Sequence, residues 1–198
     1  MSTMSKTDTL GLLEEHGAIM SGHFQLASGL HTPVYIQAAL VLQYPHVAQK
    51  LSKALAAKFP QPLDVIMTPG AASLVLGQEL ARIKKCRAIF AERSNGSMAF
   101  RRDFKIERGE RVLVAVDVLT TGRLTGELAG LALAYGAKIV GVGALVDRSS
   151  SALALAVPVR TLVNYPLEVY PRSACAQCRL DVPLTDLSRF SPGGQEGD

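Results

Sequence analysis

One stretch limits the architecture more than any other: residues 112–127, VLVAVDVLTTGRLTGE. Its first five residues are all apolar, so a strand here has no face to offer water and is covered on both sides. The run ends in Asp117, passes through Thr120, Thr121 and Gly122, and then takes up a helical apolar period. A fully buried strand that feeds a helix is the repeating unit of a parallel sheet.

The rest of the chain is punctuated in the same way. Helical patterns are expected over residues 9–15, 44–59, 71–84 and 125–135; Pro60 and Pro62 stop the second, and Gly136 closes the last. Strands are expected over 65–68, 87–91, 112–116, 138–146 and 159–163, with a turn followed by a strand in 24–37. Residues 94–109 are polar and cationic, and Asn95-Gly96 signals a hairpin. The reading is an α/β fold with a central, mostly parallel sheet flanked by helices. Roughly the first 40 residues and those from about 165 fall outside the alternation and are expected to form a small hood. Residues 1–190 are read as one domain and 191–198, SPGGQEGD, as a flexible tail. In such sheets ligands bind beyond the carboxyl ends of the strands, which here points to the loops 69–73, 117–124 and 147–150.

Composition narrows the function classes. The chain has 198 residues, 48% of them apolar and 19% charged, as a globule with a sizeable core requires. Its net charge of +4 is modest. The cationic run of Arg93, Arg101, Arg102, Lys105, Arg108 and Arg111 suits small anions or a solvated face better than nucleic acid. No apolar run reaches the ~18–20 residues that span a bilayer, and the first residues, MSTMSKTDTL, do not resemble a secretory signal. The expected compartment is the cytoplasm, and the three cysteines, Cys86, Cys175 and Cys178, are too few for a disulfide scaffold.

The turn after Asp117 carries chemistry. A helix N-terminus offers backbone N–H groups and small hydroxyls to a phosphate, and the carboxylate just before it reaches the hydroxyls of an attached sugar. Thr120, Thr121 and Gly122 are the candidate phosphate cradle. Asp117 either accepts from ribose hydroxyls or caps the helix.

Residues 112–125 resemble the phosphoribosyl-pyrophosphate signature of type I phosphoribosyltransferases. GHFQLASGLHTPVYIQ (22–37) is similar to the hood of one branch, orotate phosphoribosyltransferase; AIFAERSNGSMAFRRDF (88–104), LVDRS (145–149) and the Cys175-x-x-Cys178 pair resemble a bacterial subgroup of it. The resemblance runs from about residue 10 to 185. It implies the type I phosphoribosyltransferase fold and transfer of a 5-phosphoribosyl group from phosphoribosyl pyrophosphate to N1 of orotate, with Mg²⁺ as cofactor, in pyrimidine biosynthesis. It further implies a homodimer. The donor would lie along Val116, Asp117, Val118, Leu119, Thr120, Thr121, Gly122, Arg123 and Leu124. Arg148 would meet the orotate carboxylate, with Thr120 beside it and Tyr35 and Ile36 lining the base pocket. Arg93, Arg101 and Arg102 would close over the pyrophosphate from the partner subunit, with Asp117, Arg101 and Arg102 as the catalytic set.

The chain departs from the signature at several points. Val116 replaces the first of two acids, Arg123 and Leu124 replace small residues, Ala72 and Ser73 stand where two glycines are expected, and Ala27 replaces a lysine. If position 123 requires positive φ, arginine there costs on the order of 1–2 kcal/mol. These changes leave two further readings: a catalytically impaired paralogue that binds nucleotide or donor as a regulatory subunit, and a transferase for another base. Cys175 and Cys178 have zinc-ligand spacing, but one pair cannot fill a tetrahedral site; two pairs across a dimer could, and a reduced structural pair is preferred. His16, His23, His31 and His46 show no metal-ligand spacing. His23 and His31 are assigned to the structure of the hood, and no metal ligand is assigned.

Overall fold

The computed structural model describes residues 4–70, 73–149 and 155–187. Ala72, Ser150 and the tail from Ser191 lie outside the described residues.

Six strands form the main sheet: β3 (Val65–Pro69), β4 (Arg87–Ser94), β5 (Ser97–Phe100), β6 (Arg111–Leu119), β7 (Lys138–Asp147) and β8 (Val159–Asn164), in the order β5-β4-β3-β6-β7-β8. All neighbours are parallel except β4 and β5, which form a hairpin. Its turn is Asn95-Gly96, both at positive φ, as a two-residue hairpin demands.

The strands are apolar because both faces are covered. Along β6, Leu113 and Ala115 join one core with Ile66, Leu51, Leu55, Leu76 and Leu80. Val112 and Val114 join the other, with Met67, Leu128 and Ala132. The first core lies under α1 (Lys6–Glu15), the short α2 (Ala39–Leu42), α3 (Pro45–Ala57) and α4 (Leu74–Lys84); the second lies under α5 (Arg123–Ala134). The packing is close: a Cβ at Gly77 of α4 would sit 2.5 Å from Cγ2 of Thr68 on β3.

A second, two-stranded antiparallel sheet pairs β1 (Ile19–Gln25) with β2 (His31–Ile36). The strand expected within 24–37 is β2. Its partner β1 escapes the period-2 pattern because the register slips between Ser21 and Phe24. The C-terminal segment packs onto this hairpin. Tyr170 bridges His31, Thr185 N–H donates to the His23 carbonyl at 2.6 Å, and the Gln177 amide donates to the Gly22 carbonyl at 3.0 Å. That segment contains a 3₁₀ turn (Arg172–Ala174) and the short α6 (Ala176–Arg179). Among the described residues, no helix is long and apolar enough to cross a membrane.

Candidate functional site

Asp117 sits near the carboxyl end of β6 and is partly buried. Ser73, at the start of α4, fixes it twice: the serine hydroxyl donates to Asp117 Oδ1 at 2.9 Å and accepts from the Asp117 N–H at 3.1 Å. Ser73, which stands where a glycine is expected, therefore orients the acid. Burial pushes the Asp117 carboxyl up, opposed by the Ser73 hydroxyl and by the backbone amides of Val118 and Asp117.

Beyond Leu119 the chain turns sharply at Gly122, whose φ is +79°. The positive φ falls on this glycine, while Arg123 is the first residue of α5. The strain foreseen for Arg123 does not arise. Thr125 Oγ1 donates to the Gly122 carbonyl at 2.8 Å, and Gly126 N–H donates to the same carbonyl at 2.8 Å. The amides before Gly126 have no intrahelical partner, as at any helix start.

The other signature positions separate by side chain. Val116 and Leu119 are 3% and 2% exposed, and their side chains pack with Ala144. Val118 packs against the core on the α4 side. Leu124 is 39% exposed. Arg123 lies on the surface, where Nε donates to Glu127 Oε1 at 3.1 Å. It is thus engaged along the helix.

Arg148 follows β7. Its N–H donates to the Leu119 carbonyl at 2.9 Å, tying it to the end of β6, and its carbonyl accepts from Leu167 N–H at 3.4 Å. Asp147 locks the turn, accepting from the Ser149 N–H at 2.9 Å and the Ser149 hydroxyl at 2.6 Å. Burial lowers the Arg148 guanidinium from its usual range and Tyr35 opposes that shift; a guanidinium stays charged regardless.

These elements enclose a cleft of about 200 Å³ whose lining includes Thr120, Thr121, Arg148 and Ser149 from the sheet side, and Leu26, Ser28, Leu30, Leu167 and Val169 from the hood. The cleft unites the proposed phosphate turn with the proposed carboxylate-binding arginine. Neither Tyr35 nor Ile36 is among those lining residues, although Tyr35 is close enough to Arg148 to bear on its charge. Tyr35 packs on Phe24 at 5.6 Å between ring centroids, and Ile36 is 5% exposed within the core. Ile36 is therefore a core residue in this structure, not part of the cleft lining.

The loop arginines also stay outside the cleft of their own chain. Arg93 pairs with Glu127 at 2.8 Å; Arg102 pairs with Glu92 and lies over the Phe90 ring at 5.0 Å; Arg101 reaches Ser94 Oγ at 3.5 Å. Lys105 pairs with Asp103, and Arg111 with Asp64. The cationic run is thus laced with acids.

A second constellation lies in the hood. Nε2 of His23, Nδ1 of His31 and the thiols of Cys175 and Cys178 converge, their donor atoms all within 4.8 Å of one another. The reading that the cysteine pair lacks partners within one chain is corrected: β1 and β2 supply two histidines. Among the described residues, Nε2 of His31 is buried without a partner.

No family model matches the chain. A curated orotate phosphoribosyltransferase of Caldicellulosiruptor bescii is 40% identical over 182 residues, 91% of this chain and 96% of the relative. One from Thermus thermophilus is 38% identical over 91% of this chain and the whole of the relative. The chain belongs to the orotate phosphoribosyltransferase family. Among solved structures, the orotate phosphoribosyltransferase of Aeropyrum pernix superposes with a TM-score of 0.67 at 20% identity, covering 78% of this chain and 92% of that one. An adenine phosphoribosyltransferase of Rhodothermus marinus reaches 0.64 at 21% identity over 78% and 99%. The fold is that of the type I phosphoribosyltransferases, as the residue pattern implies.

Proposed function

We propose that this chain transfers the 5-phosphoribosyl group of phosphoribosyl pyrophosphate to N1 of orotate, in the cleft between the hood and the β6–α5 turn. The observation that carries the reading is the convergence of Thr120, Thr121 and Arg148 on one cleft. The 5-phosphate rests on the turn at Thr120–Gly122. Asp117 accepts from the ribose hydroxyls, and Arg148 holds the orotate carboxylate, which a planar guanidinium fits bidentately. The bond from C1′ to the pyrophosphate oxygen breaks with its electron pair leaving on pyrophosphate. C1′ bonds to N1 of orotate, and the N1 proton passes to the departing pyrophosphate or to water. Positioning both reactants in one cleft and neutralising the departing anion supply the rate.

Magnesium is part of the proposal. Asp117 is the carboxylate at the turn, and no cluster of three ligating side chains forms there among the described residues. Asp117 would help to hold the ion beside the donor's phosphates. When bound, the ion neutralises charge on the leaving group. We further place the enzyme in the cytoplasm as a homodimer, in which Arg93, Arg101 and Arg102 serve the partner's cleft. The reading as a binding-only paralogue has less support, because Gly122 takes the strained position and Ser73 rebuilds the support of Asp117.

The test is loss of orotate absorbance with donor and Mg²⁺. The parent is expected to turn over at ~1 s⁻¹ or above. Arg148→Lys, which keeps the charge and loses the fork, is expected to raise KM for orotate about tenfold while KM for the donor stays near the parent value. No turnover by folded parent protein overturns the proposal.

A further inference from the structure

We propose that His23, His31, Cys175 and Cys178 form a structural zinc site that clamps the N-terminal hairpin to the C-terminal segment. Two imidazoles and two thiols are a recurrent donor set for closed, tetrahedral zinc.

The distances suit that ion. Zinc with Zn–N of about 2.0–2.1 Å and Zn–S of about 2.3 Å has tetrahedral edges of about 3.4 Å between nitrogens and about 3.6 Å between nitrogen and sulfur. Here Cys175 Sγ lies 3.5 Å and Cys178 Sγ 3.6 Å from His23 Nε2, and Cys178 Sγ lies 3.3 Å from His31 Nδ1. The two imidazole nitrogens are 2.8 Å apart; this edge opens by about half an ångström to admit the ion.

The proton inventory agrees. His23 Nδ1 lies 2.7 Å from the Val182 carbonyl. A carbonyl only accepts, so Nδ1 carries the hydrogen, and Nε2 is the nitrogen that faces both sulfurs and can bind a metal. A ligating histidine whose other nitrogen donates to a carbonyl is the usual outer-shell arrangement of zinc sites. His23, His31 and Cys175 are 2%, 1% and 3% exposed, so the cluster leaves little room for the open position a catalytic zinc needs.

Position in the fold gives the site its purpose. His23 and His31 bracket the turn that carries Leu26, Ser28 and Leu30, three walls of the cleft. Cys175 and Cys178 follow Leu167 and Val169, the walls from the other segment. One ion ties both halves of the hood across about 150 residues of chain, where the closure entropy it removes from the unfolded chain is large.

The site requires only the four ligands and acts on the cleft by holding the hood walls in place. The full chain, purified without chelator, is expected to carry about one zinc per chain by elemental analysis. Replacement by Co²⁺ is expected to give the intense visible bands of tetrahedral, thiolate-bound cobalt. Cys178→Ser and His31→Ala are expected to lose the metal, and His31→Cys to retain it, since three thiolates and one imidazole also make a closed site. Circular dichroism verifies folding of each variant. Metal removal is expected to lower Tm and raise KM for orotate. Protein that holds no zinc as purified and takes none up on titration in the reduced state overturns the proposal. So does bound zinc that survives both Cys178→Ser and His31→Ala.

Discussion

Asp117 is held in tension between its task and its surroundings. Burial raises its pKa above the ordinary 3.8, so folding favours the protonated form more than the unfolded chain does. A folded pKa above the unfolded one means that ionisation of Asp117 works against stability once pH rises through the folded value. Asp117→Asn is therefore expected to raise Tm at neutral pH and to leave it unchanged below the ordinary carboxylate range, where both side chains are neutral. The same variant is expected to slow transfer by about 10²-fold, because a neutral amide is a weaker acceptor for the ribose hydroxyls. Thermal melts at acid and neutral pH beside steady-state kinetics test both halves; a variant equal to the parent in rate would leave Asp117 only a structural role, in its bonds with Ser73. Val116 carries the opposite lesson. Restoring the first of the signature's two acids by Val116→Glu looks like repair of the motif, but the site lies at 3% exposure among Leu119 and Ala144. We expect Val116→Glu to lower Tm by about 5–10 °C without raising turnover, measured by melting and by the orotate assay. A faster, equally stable Val116→Glu would show that the departure had cost the enzyme its rate.

At the scale of elements, β6 delivers the acid and must be held in register with β3. Asp64, just before β3, grips the start of β6: its Oδ2 accepts from the Arg111 N–H and Nε, both at 2.8 Å, and its Oδ1 from Nη2 at 2.7 Å. The Arg111 guanidinium and amide hold the Asp64 carboxyl well below the usual range. A depressed folded pKa gives stability that is fully present above the unfolded value of about 3.8 and is lost as pH falls through the folded one. Asp64→Asn is expected to destabilise at neutral pH and to show a flatter loss of stability on acidification. Urea midpoints at pH 7 and pH 3 provide the check, and equal parent–variant gaps at both pH values would remove the pair from the acid response. The strands of this layer were legible because burial on both faces leaves an apolar run with few other uses. The hairpin β4–β5 was legible because Asn95-Gly96 is suited to positive φ. β1 was not, since Ser21, Gly22 and His23 interrupt the alternation where the register slips. Nor was the support from Ser73, which reaches Asp117 across 44 positions of sequence.

The whole molecule shows where a linear reading runs out. Phosphate turn and carboxylate arginine announce themselves by local pattern, and the fold places them in one cleft. The His–Cys cluster has no local pattern, because half its donors come from each end of the chain and only the assembled hood joins them. The loop cations pose the same problem one level higher. Arg93, Arg101 and Arg102 are absent from the cleft lining of their own chain, and two of them are paired with its glutamates. Exposed ion pairs of this kind hold a side chain by ~1 kcal/mol or less, so a pyrophosphate in a neighbouring cleft can draw them away. If those cations act across a twofold interface, two disabled chains can restore each other. Arg148→Ala removes the base-binding group from its own cleft, whereas a chain with both Arg101→Ala and Arg102→Ala removes the cations lent to its partner. Each alone is expected to lose about 10²-fold or more in turnover. Mixed in equal amounts and allowed to exchange, half of the dimers pair one chain of each kind, and each such dimer holds one intact cleft. Recovery to about a quarter of the parent activity is the expected outcome. A mixture that stays at the level of its components would show either that the arginines serve their own chain or that the chain acts as a monomer, and a sedimentation measurement on the parent separates those two.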